Sequence, residues 1–144
     1  MGKADTKSLI FIVDDDEDDR NFISTALQSF IDISNIRLFE NGKELIEELS
    51  KGTNIPNLIV LDLNMPHMDG FEALTQIRKT WAAKDLPVII LSTSSDANDR
   101  IKCEKLGANR YITKPTQIKQ YESIAGDLIL LINSVKAEVS KLPY

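Results

Sequence analysis

Four short apolar segments of this chain each end at a polar residue that could take part in phosphoryl transfer. The first segment is followed by Asp14 and Asp15, the second by Asp62, the third by Ser92 and the fourth by Lys114. Carboxylates can hold a divalent cation or accept a phosphoryl group, while a hydroxyl and an ammonium can bind its oxygens. If the segments are strands of one parallel sheet, their carboxyl ends meet at one edge, where such sheets bind ligands. The spacing therefore predicts one polar site assembled from distant parts of the chain.

Strands and helices that could position these residues alternate along the sequence. Apolar runs at helical spacing separate the predicted strands, and Gly, Pro and Asn-Gly or Asp-Gly pairs mark the turns. The predicted strands are Ile10–Val13, Ile36–Phe39, Leu58–Leu61, Val88–Leu91 and Arg110–Ile112. The predicted helices cover about 18–30, a segment with Leu45, Ile46 and Leu49, a segment from Asp69-Gly70 to Trp81, residues 96–106, and about 118–136. Five such units with right-handed crossovers predict a three-layer α/β sandwich around a five-stranded parallel sheet.

Length and composition limit the classes of function. The 144 residues fit one domain, predicted over 8–140 with flexible tails at 1–7 and 141–144. The net charge is -5 and the basic residues are scattered, which argues against nucleic acid as a partner. The single Cys103 cannot form an intramolecular disulfide, and without a recognisable leader the chain is predicted to be cytoplasmic. Its longest nearly apolar stretch, Leu128–Ile132, is too short to span a bilayer, which predicts no membrane partner.

Six consecutive acids, residues 14–19, follow the first predicted strand. Such a density of like charge needs helix N-terminal amides or a cation to offset it. Mg²⁺ prefers oxygen ligands and usually takes one or two carboxylates, which Asp15 and Asp62 could supply. The acids Glu17, Asp18 and Asp19 are interpreted as partners of the helix dipole. A calcium loop of the EF-hand type is excluded because its sixth and twelfth positions would be Asp19 and Thr25 instead of Gly and Glu.

The segment Asp62-Leu63-Asn64-Met65-Pro66-His67-Met68-Asp69-Gly70 resembles the phosphorylation loop of response-regulator receiver domains. Val13-Asp14-Asp15, Ser92 and Lys114-Pro115 are similar to the other three motifs of that family, and all four occur in the family order over about residues 9–135. The resemblance implies a flavodoxin-like fold of the CheY type, with strand order 2-1-3-4-5. It also implies a two-component signalling protein that receives a phosphoryl group from a sensor histidine kinase or a histidine phosphotransfer protein.

The resemblance further implies a role for each matching residue. Asp62 would be the phosphoacceptor and a Mg²⁺ ligand, together with Asp15 directly, Asp14 through water and the backbone carbonyl of Asn64. Lys114 would pair with Asp62 at rest and with the phosphoryl group afterwards. Ser92 would donate its hydroxyl to that group, and Tyr111 would change rotamer with it. The domain would catalyse its own phosphorylation and dephosphorylation without being an enzyme for a separate substrate.

The output would be contact with a downstream protein through the fourth helix, fifth strand and fifth helix. Only about 30 residues follow Lys114, so a stand-alone receiver without an output domain is expected. The segments 88–94 and 111–114 look most like small receivers paired with bacterial phytochrome kinases. The apolar segment Leu128–Ile132 predicts a contribution of the last helix to a homodimer or partner surface.

Two other classes of function compete with this interpretation. A haloacid-dehalogenase-type phosphatase also uses an Asp nucleophile and Mg²⁺, and Asp14-Asp15-Asp16 contains its Asp-x-Asp pattern, but no late acid pair follows Lys114. A receiver fold could also serve as an unphosphorylated binding module, although the intact site residues argue against this. Other polar candidates are assigned no catalytic role: His67 is expected to be exposed, Cys103 to pack in the core, and Asp96 and Asp99 to lie at a helix N-terminus.

Overall fold

The computed structural model describes residues 8–140, so the predicted tails 1–7 and 141–144 lie outside the described residues. Its five parallel strands are β1 (Ile10–Val13), β2 (Ile36–Phe39), β3 (Leu58–Leu61), β4 (Val88–Ser92) and β5 (Arg110–Thr113). They form one sheet in the order β2-β1-β3-β4-β5. Five α-helices connect or follow them: α1 (Glu17–Leu27), α2 (Gly42–Ser50), α3 (Gly70–Thr80), α4 (Ala97–Lys105) and α5 (Gln120–Ser140). The predicted fold class and strand order are confirmed.

Alternate residues of each central strand face opposite layers of helices, as the two-residue period of a strand requires. Ile10, Ile12, Leu58 and Val60 pack with α1 and α5 on one face of the sheet. The intervening side chains of the same strands pack with α2, α3 and α4 on the other, among them Phe11, Val13, Ile59 and Leu61. Both faces of β1 and β3 are buried, which explains why these strands are continuous apolar runs instead of alternating ones.

An Asp or Asn side chain caps the N-terminus of each of the first four helices. The caps are Asp16, Asn41, Asp69 and Asp96, and each side-chain oxygen accepts a backbone N–H from the first turn of its helix. Such caps satisfy amide groups that have no partner within the helix. Short polar residues after each strand therefore start the helices close to the sheet edge that carries the predicted site.

Several helix ends in the structure differ from the predicted ones. Helix α1 ends at Leu27 instead of Phe30, because the amides of Phe30 and Ile31 both bond to the Leu27 carbonyl in a tight turn. Phe30 and Ile31 still pack against the core, which extended the helical spacing past the true end. A 3-10 turn over Ile33–Asn35 was not predicted. Helix α5 begins at Gln120, and Ile118 is an exposed residue before it instead of a helical core position.

The apolar segment Leu128–Ile132 is mostly core. Leu128, Ile129 and Ile132 are buried against the sheet and α1, whereas the side chain of Leu130 is 67% exposed. Most of this segment therefore faces the core, and the contribution of the last helix to a homodimer or partner surface stays a prediction. Within residues 8–140, no helix combines the length and apolarity needed to cross a membrane.

Candidate functional site at the carboxyl edge of the sheet

The predicted polar residues meet at the carboxyl edge of the sheet. Val13 lies opposite Leu61 in the pairing of β1 with β3, so Asp14 and Asp62 leave adjacent strands at the same level. The amide of Asp62 bonds to the carbonyl of Val13 at 2.9 Å and extends this pairing by one residue. Asp14 and Asp62 are both buried, whereas Asp15 is exposed. Strand order thus places two carboxylates side by side at the centre of the edge.

Asp14, Asp15 and Asp62 form a group whose composition fits a hard divalent cation. One carboxylate oxygen from each residue lies within 4.8 Å of the other two. Three carboxylates and nearby backbone carbonyls are the oxygen ligands that Mg²⁺ accepts. Asn64, whose carbonyl was predicted as a further ligand, lies two residues after Asp62 in the loop that follows β3. The geometry brings the predicted carboxylates together, and the individual ligand roles remain predictions.

Lys114 reaches the same edge from the end of β5. Its Nζ lies 2.8 Å from Asp14 Oδ2, 2.7 Å from Asp19 Oδ2 and 3.6 Å from Asp62 Oδ2. The predicted ion pair of Lys114 with Asp62 is present, but it is the longest of the three contacts, and the two shorter ones go to Asp14 and Asp19. Only 7% of the Lys114 side chain is exposed, so its charge is compensated by these acids more than by water.

Asp19 is the site residue that sequence analysis missed, since it was interpreted only as a helix-dipole acid. A signal for it exists in the sequence. Asp19 precedes Ile23 by four residues and Leu27 by eight, which places all three on one face of α1. Ile23 and Leu27 are buried on that face, so an acid in line with them faces the protein and needs a partner.

Titration of the site reflects an excess of negative charge. Burial, together with the charge of Asp14, raises the pKa of the Asp62 carboxyl to about 7, against the opposing effect of Lys114. Burial also raises the pKa of Asp14, although hydrogen bonds from Lys114 and the Asp16 amide lower it in part. Burial alone would lower the pKa of Lys114, but its bonds to Asp14 and Asp19 raise it above its ordinary value. One ammonium thus compensates the acids incompletely, and a divalent cation would offset the remainder.

The rest of the acidic run has structural roles. The carboxylate of Asp16 caps α1 by accepting the Asp19 amide at 3.0 Å, and the Asp16 amide in turn donates to Asp14 Oδ1. Arg20 donates from Nη1 to the carbonyl of Asp14 at 2.7 Å. Because Glu17 already begins α1, the acids do not form a calcium loop. The second Asp of the Asp-x-Asp pattern serves as a helix cap, which removes the observation that favoured a phosphatase.

Close backbone packing fixes the loop after Asp62. The Leu63 amide donates to Asp62 Oδ1 at 2.8 Å, and the Gly70 amide donates to the Leu63 carbonyl at 2.8 Å. A Cβ at Gly70 would collide with the Asp62 carbonyl, so only glycine allows this approach. His67 is exposed, as predicted, and lies at φ 68° in the intervening turn. Gly70 therefore helps to hold the Asp62 side chain in place.

Ser92 and Tyr111 are connected through the segment that joins β4 to α4. Ser92 is buried, and its Oγ accepts the Ser94 amide at 3.3 Å. The Tyr111 hydroxyl donates to the Ser94 carbonyl at 2.7 Å, and the Ser94 hydroxyl donates to Asp99 Oδ2 at 2.7 Å. The guanidinium of Arg100 covers the Tyr111 ring at 4.6 Å from its centroid. Both predicted switch residues thus contact Ser94.

Asp99 was predicted only as a residue near a helix N-terminus, and its bond to Ser94 was missed. Asp96, given the same interpretation, caps α4 as expected. Cys103 is buried in the core, and this burial raises the pKa of its thiol to about 11. Its place in the core agrees with its predicted packing role.

Comparisons with known proteins agree with this geometry. Residues 10–125 match the sequence profile of the response regulator receiver domain. The chain is 29% identical over 122 residues to the response regulator Rcp1 of Synechocystis sp., covering 81% of this chain and 83% of that protein. The Mn²⁺-bound structure of Rcp1 superposes with a TM-score of 0.74 at 27% identity, covering 84% of this chain and 91% of that one. The phosphorylated cyanobacterial phytochrome response regulator RcpA gives a TM-score of 0.76 at 31% identity, with 84% and 90% covered.

Longer proteins match as well. The chain is 33% identical over 128 residues to the sensor histidine kinase CheAY of Helicobacter pylori, covering 83% of this chain but 15% of that protein. It spans 15% to 48% of the length of four curated relatives, which also include two transcriptional regulators and a methylesterase. The matching segment is thus a module that occurs in proteins of different activities. The profile, the strand order and the convergent site together show that this chain belongs to the response regulator receiver domain family of two-component signalling.

Proposed function

We propose that this domain is a Mg²⁺-dependent phosphoacceptor whose acceptor residue is Asp62. The observation that carries the proposal is the meeting of Asp14, Asp15 and Asp62 with Lys114 at the centre of the sheet edge. Phosphoryl transfer requires little covalent chemistry from a protein beyond an in-line acceptor and compensation of charge on the equatorial oxygens. A bound Mg²⁺ would supply part of that compensation, and the lysine ammonium would supply the rest.

The phosphoryl donor in this proposal is a phosphohistidine of a sensor histidine kinase or a histidine phosphotransfer protein. An oxygen of the Asp62 carboxylate forms the new P–O bond while the P–N bond to the imidazole breaks. The leaving imidazole takes up a proton from solvent. Because RcpA is described as a phytochrome response regulator, a phytochrome-type kinase is a candidate donor. The cytoplasmic location remains a prediction from the sequence.

The response to phosphorylation is proposed to pass through Ser92 and Ser94 to Tyr111. When the Ser92 hydroxyl donates to a phosphoryl oxygen, the Ser94 amide that bonds to the same Oγ moves with it. The Ser94 carbonyl holds the Tyr111 hydroxyl, so the ring changes its position as well. The outer faces of α4, β5 and α5 around Tyr111 form the proposed surface for a downstream protein or a second copy. Ile101 and Leu130 are exposed on this surface.

Intact mass after incubation with acetyl phosphate and MgCl₂ tests the phosphoacceptor. Wild-type protein should gain one phosphoryl group that is lost at alkaline pH, and Asp62→Asn should gain none. Asp16→Asn is the matched control, because Asn also caps helices and Asp16 bonds to the Asp19 amide and not to Lys114. It should be phosphorylated like wild type. An unmodified wild-type protein, or an adduct that persists in Asp62→Asn, would contradict the proposal.

A further inference from the structure

We propose that Asp19 is a positioning residue that limits how strongly Lys114 can bind a phosphoryl group on Asp62. The inference rests on the proposed function of Asp62 as phosphoacceptor. Asp19 is not one of the three carboxylates of the candidate cation site, which are Asp14, Asp15 and Asp62. It is also not one of the residues predicted to contact the phosphoryl group.

The three carboxylates around Lys114 do not share its ammonium equally. Asp19 Oδ2 at 2.7 Å and Asp14 Oδ2 at 2.8 Å have the distances of charge-assisted hydrogen bonds. Asp62 Oδ2, at 3.6 Å, is too far for one. An ammonium has three protons. At rest, two of them are directed to Asp14 and Asp19, where α1 begins. Lys114 is thus held away from the proposed acceptor.

The position of Asp19 is fixed by the start of α1. Its amide donates to the capping carboxylate of Asp16, and the helix packs on the sheet through Ile23 and Leu27. The Asp19 side chain is 24% exposed and the lysine side chain only 7%, so solvent screens their attraction less than at an open surface. Asp19 therefore cannot follow the ammonium freely if Lys114 moves toward Asp62.

A phosphoryl group on Asp62 would compete with Asp19 for the same ammonium. Its oxygens are strong acceptors, and moving Lys114 Nζ toward them lengthens the contact with Asp19. Replacing Asp19 by Asn removes this competing charge and one source of repulsion against the phosphoryl group. Both effects act in the same direction, so the variant should bind a phosphoryl mimic more tightly than wild type does.

Beryllofluoride, formed from beryllium chloride and sodium fluoride, is the mimic for the test, titrated by calorimetry at saturating MgCl₂. Asp19→Asn should lower its dissociation constant about two- to fivefold, the upper part of the range expected for one solvent-accessible ion pair. Asp19→Glu keeps the charge and should stay near wild type. Asp18→Asn is the matched control, because Asp18 is an exposed neighbour in the same helical turn and loses the same charge. It should change the constant less than twofold.

The sign of the effect separates positioning from a structural role. A residue that only maintains the site would, when replaced, weaken beryllofluoride binding, whereas a residue that restrains Lys114 strengthens it. If Asp19→Asn bound beryllofluoride no more tightly than Asp18→Asn does, and if its circular dichroism were normal, the inference would be overturned. A wild-type protein that binds no beryllofluoride would instead contradict the proposed function itself.

Discussion

The carboxyl and amino ends of the sheet each hold a cation, buried at the first end and half-buried at the second, but in opposite electrostatic surroundings. At the carboxyl edge, Lys114 faces the carboxylates of Asp14, Asp19 and Asp62. At the amino edge, Arg78 of α3 faces only neutral oxygens, and the ion pairs in the described part of the chain do not include it. The first cation lies among more negative charge than it can neutralise, and the second lies among neutral dipoles.

Arg78 joins three segments at the amino ends of β4 and β5. It donates to the carbonyls of Gly107 and Leu86, each at 2.8 Å, to that of Trp81 at 3.3 Å and to Asn109 Oδ1 at 2.9 Å. The same Asn109 oxygen accepts the amide of the first residue of β4. Burial lowers the pKa of the guanidinium, without any opposing acid. This arrangement uses four of the five N–H groups of the guanidinium to connect neighbouring segments, and so stabilises the fold.

The different surroundings of Arg78 and Lys114 distinguish an edge of the sheet that contributes to stability from the edge that carries the candidate site. Neutral acceptors around Arg78 satisfy it without creating a strong field, so the amino edge contributes mainly to stability. The carboxylates around Lys114 outnumber its single positive charge, so a bound cation would stabilise the carboxyl edge. In the proposed function, that cation would then compensate the charge of a phosphoryl group. Three changes test this comparison, from the largest expected effect to the smallest.

Arg78→Met should lower the free energy of unfolding by about 3 kcal/mol, since it leaves several half-buried carbonyls without a donor. Urea denaturation measures this change. Lys79→Met is the matched control, because Lys79 is the exposed next residue of α3, and it should change the free energy by less than about 0.5 kcal/mol. The Mg²⁺ affinity of Arg78→Met should stay within twofold of wild type. A larger change in affinity would mean that the two ends of the sheet are coupled.

Asp62→Asn should stabilise the metal-free protein increasingly as the pH rises. The pKa of Asp62 is about 7 in the fold against 3.8 for an ordinary carboxyl, so the folded state holds the extra proton between these values. Stability of the wild type is therefore lost through this group as pH rises from about 4 to 7. The advantage of the variant should grow by roughly 2.5 kcal/mol between pH 5 and pH 8. Urea denaturation with EDTA from pH 5 to 8 measures it.

Asp96→Asn serves as the control for this pH series, because Asp96 is an exposed helix cap far from Lys114 in the sequence and Asn preserves the cap. Its stability relative to wild type should not change with pH. If the difference between Asp62→Asn and wild type were also constant from pH 5 to 8, the excess negative charge attributed to the carboxyl edge would be refuted.

Mg²⁺ at ten times its dissociation constant should raise the free energy of unfolding of wild type by about 1.4 kcal/mol. Thermal unfolding across a MgCl₂ titration measures this increment. Asp15→Asn should lose most of it, because one of the three carboxylates in the group is gone. Arg78→Met should keep the full increment despite its lower stability. An unchanged increment in Asp15→Asn would place the cation elsewhere.

The pattern of apolar and polar residues along the sequence was sufficient to predict much of the fold and most residues of the candidate site. Apolar runs that stop at Asp14, Asp62 and Ser92 predicted the strands, because a strand buried on both faces must be apolar throughout its length. The helix ends were less predictable. Phe30 and Ile118 continue the helical spacing outside their helices, since an apolar side chain near a helix can be packed or exposed by the following turn.

The sequence by itself determined which residues reach the carboxyl edge, because each follows a strand whose direction is set by the parallel fold. Only the tertiary structure decided which of them touch. It places Lys114 closer to Asp14 and Asp19 than to Asp62, and it adds Asp19 of α1 to the site residues. The physical reason is that ion-pair partners depend on differences of about one ångström between separate elements. Sequence spacing fixes positions within an element but not the distance between two of them.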